Sequence, residues 1–230
     1  MSDPNAAARP AARSRMNVKT LTSLAMLTAI TYVVMYLSKL LPQLYGFLQL
    51  EVKSTVICIG GFVFGPLAAA GISIVVAVIE MVTVSDTGPI GCVMNCLAAC
   101  AFACPAAWIY KRQHTKKGAI IGLSVGVAVL VAAMVAWNYL LTPIYQGVPR
   151  SVVAGMLPTV FLPFNLLKGV LNMALTLVLY KPVVTALRKA RLIPESQSAV
   201  KSRFNAGLLL FGLALLATCV AAILVITEKI

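Results

Sequence analysis

Acidic residues are scarce in this chain: six Asp and Glu stand against 19 Lys and Arg in 230 residues, beside a single histidine. Enzymes generally need a nucleophile with its base, paired carboxylates or a metal-ligand set. Here His114 lies in a basic loop as a solvated side chain, so the chain is expected not to be an enzyme and to carry no cofactor or metal. No G-x-x-x-x-G-K-[ST] loop is present to cradle nucleotide phosphates, so the chain is not expected to hydrolyse ATP itself. It also shows no clear internal repeat of the kind on which many self-sufficient carriers are built.

Polar stretches long enough for a soluble domain are missing too. The sequence is 60% hydrophobic and 11% charged, well above the apolar share of an ordinary soluble domain. Apolar runs of the ~20 residues needed to cross a hydrocarbon core recur along nearly all of it. One all-α integral membrane domain accounts for this pattern.

The net charge of +13 does not indicate nucleic acid, because the basic residues fall in short clusters between apolar runs and not on one water-exposed face. Such clusters hold loops on the cytoplasmic side and touch anionic lipid heads. Cys92, Cys96, Cys100 and Cys104 recur every fourth residue and form one helical stripe. Without a histidine and without zinc-type spacing, the stripe reads as small, polarizable packing residues.

Residues 1–15, rich in Ala, Pro, Arg and Ser, read as a cytoplasmic tail. The first span runs from about Val18 to Leu41, too long for the apolar region of a signal peptide. It contains Ala25 and Ala29, a small-xxx-small pair that lets another helix approach closely or merely reflects the Ala content of membrane helices. Pro42 ends it, and Gln43 to Glu51 reads as an external loop able to fold over a pocket.

The block Val52 to Val84 is interrupted at Gly60-Gly61 and Gly65-Pro66. One broken span would put the basic loop Lys111 to Lys117 outside while the basic tail lay inside; two spans turning near Gly65 put both inside. The loop-charge rule selects the two-span hairpin, with a short first arm. Further spans are predicted to Tyr110, over Gly118–Leu141 and over Leu157–Tyr180, followed by a basic linker at 192–202 and a last span within 203–226. On this topology the amino terminus, Lys111, Arg112, Lys116, Lys117, Lys181, Arg188, Lys189, Arg191, Lys201 and Arg203 are cytoplasmic. Lys53, Arg150, Lys229 and the carboxyl terminus are then external.

Polar residues within the spans mark a site. Asn165 and Lys168, three apart, share a helix face. A lysine at that depth costs about 2.5–3.5 kcal/mol near the bilayer centre and usually faces a cavity, partner or solute; the alternative is that it snorkels to the outer interface. Asn138, within Trp137-Asn138-Tyr139, supplies a second amide, and Tyr45 and Phe47 supply apolar cover. Two amides and an ammonium suit a flat polar solute. Asn95 faces the same cavity or bonds a neighbouring helix, and Glu80 is either a proton-coupling carboxylate or an acid near the water interface.

Three motifs in order, Gly60-Gly61-Phe62-Val63-Phe64-Gly65-Pro66-Leu67-Ala68, Trp137 to Tyr145 and Pro163-Phe164-Asn165-Leu166-Leu167-Lys168-Gly169, resemble those of the riboflavin-specific S components of energy-coupling factor (ECF) transporters. The resemblance covers about Met16 to Arg191. It implies a six-helix core that binds its vitamin in an outward-opening pocket and works in the cell membrane with a transmembrane coupling subunit and two ABC ATPases. It also implies that Ala25 and Ala29 contact the coupling subunit and that Asn138, Asn165 and Lys168 contact the flavin ring; Leu50, Glu51 and Asn95 are further candidates for substrate contact.

The sequence departs from that pattern at three places. Leu50-Glu51-Val52-Lys53-Ser54-Thr55-Val56 replaces a Leu-Asp-x-Ser-Asp-x-Pro pattern, Glu80-Met81 stands where a Lys-Asn pair is usual, and the C-terminal span has no counterpart. The first two changes open the possibility of another vitamin or flavin relative as ligand.

Overall fold

The structure is a computed structural model that describes residues 18–41, 43–85, 87–190, 192–193 and 206–228. The tail at 1–15, most of the 192–202 linker and Arg191 therefore lie outside the described residues. Helix α1 (Val18–Ser38) leads into a two-stranded antiparallel hairpin, β1 (Gln43–Leu44) and β2 (Leu48–Gln49). Six helices and a π-helical turn complete the bundle core: α2 (Lys53–Phe64), α3 (Pro66–Thr83), α4 (Gly88–Gln113), α5 (Lys116–Gln146), and α6 (Arg150–Met156) joined through the π turn Leu157–Phe161 to α7 (Leu162–Lys189). Helix α8 (Ala206–Glu228) follows.

Among the described residues, six helical stretches are long and apolar enough to cross a membrane. Helix α2, with 12 residues, reaches only about 18 Å at 1.5 Å per residue. This is the short arm of the expected hairpin. Gly65 turns between α2 and α3 at φ +97°, a conformation open to glycine but strained for other residues, and a side chain there would meet Lys111 Nζ at 3.5 Å. The turn therefore shares one end of the bundle with the basic α4–α5 loop, as the charge argument requires.

Ser23 at the start of α1 donates to the carbonyl of Leu192 at the same basic end. At the other end Tyr32 donates to Thr83 and Lys39 to the Val84 carbonyl. Successive spans thus alternate in direction, and α8 runs from Leu208 beside Tyr180 to Ile226 beside the hairpin.

The predicted span at Leu157–Tyr180 is longer in the structure, continuous from Arg150 to Lys189. Pro163 has no N–H, and its ring would clash with the carbonyl four residues earlier, at Thr159. The widened π turn over Leu157–Phe161 absorbs that conflict without ending the helix.

Helix α5 lies directly on the backbone of α4. Gly122 and Gly126 form a G-x-x-x-G pair, and a Cβ at Gly126 would stand 2.5 Å from the Phe102 carbonyl oxygen. In lipid, where apolar burial gives helices little reason to associate, such close approach supplies the packing. Gly126→Leu is expected to lower the thermal unfolding midpoint by several degrees, matching the ~1–3 kcal/mol cost of overpacking a filled interface. An unchanged midpoint would show that α4 and α5 have room to separate.

Helix α8 sits at the edge. It touches the bundle through Leu216 and Cys219 against Phe164, Leu167 and Leu171, and through Gly212, where a Cβ would meet Val178 Cγ2 at 2.8 Å. Most of its remaining surface is exposed in the isolated chain.

Candidate functional site

At the end of the bundle opposite the basic loops, a cavity of about 260 Å³ lies beneath the hairpin. The hairpin is held by local bonds: Gln49 Nε2 donates to the carbonyls of Ser38 and Leu41, and the Val52 amide donates to Ser38 Oγ. Its tip turns through Tyr45 and Gly46, both at positive φ. Phe47 then points inward and meets Phe161 edge-on at 6.1 Å between centroids.

Lys168, Asn165 and Asn138 all reach this cavity, as do Phe47, Glu51 and Asn95. Tyr45 and Leu50, expected in the wall, stand outside it. Leu50 is buried with Leu44, Phe164, Leu167 and Leu171, and Tyr45 packs against that same cluster. The backbone at the tip is the reason: Tyr45 and Gly46 turn at positive φ, which directs Phe47 into the cavity while Tyr45 packs behind it.

Lys168 does not snorkel. It is 8% exposed, and its ammonium donates to Glu51 Oε2 at 3.0 Å. Glu51 accepts a second bond through Oε1 from Lys53 Nζ at 3.1 Å, and Lys53 in turn contacts Glu80 Oε2. Asn95 Nδ2 donates to the remaining Glu80 oxygen at 3.0 Å. Two carboxylates and two ammonium groups, contributed by the loop before α2, by α2, by α3 and by α7, thus form one buried chain. Ions removed from water are tolerated when paired and hydrogen-bonded, as these are.

The two amides do not bond the lysine in the structure. Asn165 Nδ2 donates to the Phe161 carbonyl and Asn138 Nδ2 to the Met134 carbonyl, both one turn back on their own helices. Thr142 donates to Asn138 Oδ1. Glu51 takes the compensating role, and the amides are left at the cavity wall with their donors oriented by backbone.

Asn172, which sequence reasoning passed over, fixes the geometry. Its Nδ2 donates to the carbonyls of Glu51 and Lys168, both at 2.9 Å, while its Oδ1 accepts the Thr55 amide at 2.9 Å. One side chain on α7 therefore caps the start of α2 and holds the Glu51 backbone beside Lys168. Lys53, expected at the external surface, is 3% exposed and belongs to the charge chain. A signal for it existed: an acid is lost from the family pattern beside Lys53, and a lysine is lost where Glu80 stands. Two departures of opposite sign mark a pair.

In the cysteine stripe, Cys104 Sγ lies near the Pro66 carbonyl at the start of α3, and no group of three or more His, Cys, Asp or Glu suited to a metal occurs among the described residues. Ala25 and Ala29 lie on the exposed side of α1, away from its buried stripe of Ser23, Leu27, Thr31 and Met35.

Residues 19–180 match the model of the family described as ECF transporter, substrate-specific component. Among similar proteins, the riboflavin transporter FmnP of Bacillus subtilis (strain 168) is 28% identical over 194 residues, spanning 77% of this chain and all of that protein. The riboflavin transporter RibU of Staphylococcus aureus (strain TCH60) is 28% identical over 186 residues, spanning 77% of this chain and 98% of RibU. A solved structure of the S component of a bacterial ECF transporter superposes with a TM-score of 0.63 at 27% identity, covering 74% of this chain and 98% of that one. The matched region takes in every helix that lines the cavity and stops short of α8. An all-α bundle with one polar cavity beneath a hairpin, and a family match over most of its length, together place this multi-pass membrane chain among the substrate-specific components of ECF transporters.

Proposed function

We propose that the chain captures riboflavin from outside the cell and delivers it to an ECF module made of a transmembrane coupling subunit and two ABC ATPases. The convergence of Asn138, Asn165 and Lys168 on one cavity carries this reading, because amide donors and acceptors beside an ammonium suit the edge of a flat heterocycle. Phe47 and Phe164 add apolar contact for ring faces. The names of the two relatives point to the same vitamin. The basic end is assigned to the cytoplasm by its loop charges, which turns the cavity outward and leaves the carboxyl end of α8 external. Residues 16–191 are the working unit on this reading.

Calorimetric titration of the purified chain with riboflavin and a panel of other vitamins tests the ligand. Saturable one-to-one binding of riboflavin is expected, with flavin absorbance retained on the protein. Tight binding of a non-flavin vitamin with none for riboflavin would replace the assignment.

A second reading has one observation in its favour. A self-sufficient ion-coupled carrier needs a buried acid paired with Lys168, and Glu51 is such an acid. Proteoliposomes holding this chain alone separate the two: gradient-driven accumulation of riboflavin supports the carrier, while binding without accumulation supports a subunit energised by its partners.

A further inference from the structure

A second cavity, of about 300 Å³, lies at the basic end, near the lower limit of the ~300–1,000 Å³ usual for ligand sites. Its floor is aromatic: Phe62 stacks on Tyr110 at 4.3 Å, and the Tyr110 and Tyr180 hydroxyls are 2.9 Å apart. Two hydroxyls sharing one hydrogen bond use only one of their two hydrogens, so one O–H donor remains for a further partner. Lys116 and Lys181 stand among the lining residues, and Leu208 of α8 supplies an apolar wall.

Basic residues gather at this end among the described residues. The buried acids Glu51 and Glu80 are at the opposite end, in the charge chain. Lys111 and Arg112 in the last turn of α4 and Lys117 beside Lys116 in the first turn of α5 add positive charge around the cavity. A cavity with cationic residues, a hydroxyl donor and a hydrocarbon wall offers what a phosphate joined to an acyl chain requires.

We propose that this cavity binds the headgroup of an anionic phospholipid, with an acyl chain running along α8, and that α8 serves as the wall that completes the site. The family match ends at residue 180, before α8 begins, so the site depends on the segment that the match does not include.

Native mass spectrometry of the full chain released from detergent tests this, with dioleoyl phosphatidylglycerol, dioleoyl phosphatidylcholine and inorganic phosphate as probes. One phosphatidylglycerol is expected to be retained in clear preference to phosphatidylcholine. Lys116→Gln is expected to reduce retention about fivefold, the value of one cation near an anionic lipid, and Lys116→Arg to restore it. Leu208→Trp, which fills the cavity from α8 without changing charge, is expected to reduce retention as strongly; Ala119→Leu serves the same purpose from α5 if the tryptophan disturbs folding. Riboflavin titration, read at the far end of the bundle, is expected to be unchanged in every variant and reports intact folding.

Equal retention of the two lipids would overturn the site. So would loss in Lys116→Gln without loss in the filled variants, which would put the lipid on the outer surface. Loss in the filled variants alone would remove the role of the anion. Thermal stabilisation by inorganic phosphate equal to that by phosphatidylglycerol would make the cavity a free-anion site and overturn the lipid assignment.

Discussion

Lys168→Met is expected to destabilise the fold by about 3–5 kcal/mol, the usual cost of removing one partner from a buried ion pair, and to weaken riboflavin binding by roughly 10–100-fold, the range for a lost hydrogen bond to a charged group. The two effects have separate origins. The charge chain carries Glu51 and Glu80 against Lys53 and Lys168, so removing Lys168 leaves a buried excess negative charge. Adding Glu51→Gln to Lys168→Met removes that excess and leaves Lys53 paired with Glu80. The double variant is therefore expected to regain most of the lost stability in a thermal unfolding measurement and little of the lost affinity in a titration. Recovery of both together would mean that Lys168 acts on the ligand only through the fold; recovery of neither would mean that the charges are not coupled as the contacts indicate.

That distinction arises from the structure, since the sequence offers Lys168 and Asn165 by their spacing but not the partner of the lysine. Glu51 is 117 residues away from Lys168, and Glu80 is 27 away from Lys53, and no helical or strand period relates residues at such separations. The spans themselves were legible because lipid imposes length and apolarity on each helix separately. The hairpin at Gly65 was legible because loop charge constrains how many crossings separate two basic segments. What could not be read was which residues of the 43–51 loop face inward. Tyr45 and Phe47 are two apart, yet the positive φ at Tyr45 and Gly46 breaks the simple alternation, and Phe47 reaches the cavity while Tyr45 packs behind it. The sixth span begins at Arg150 and not at Leu157, because a π turn over Leu157–Phe161 keeps the chain helical ahead of Pro163.

Substitution of both Ala25 and Ala29 by tryptophan is expected to abolish ATP-driven uptake in cells or in proteoliposomes with the full ECF module, while the isolated chain still binds riboflavin normally. Both alanines are on the exposed side of α1, so the larger side chains meet no neighbour within the chain and the cost to folding is within about 0.5 kcal/mol. At a helix–helix contact in lipid the situation reverses. Small residues there let two backbones approach, and an indole forces them apart, with the loss of the packing that drives association. Two wedges one turn apart, each worth about 1–3 kcal/mol of overpacking, would lower the occupancy of the complex by orders of magnitude and uptake with it. Capture of the coupling subunit by tagged protein supplies the direct readout and is expected to fail in the double variant. Uptake at the original rate would remove this face of α1 from the docking surface. Uptake falling in proportion to riboflavin affinity would place the damage in the binding site, because a docking defect leaves the affinity of the free subunit untouched.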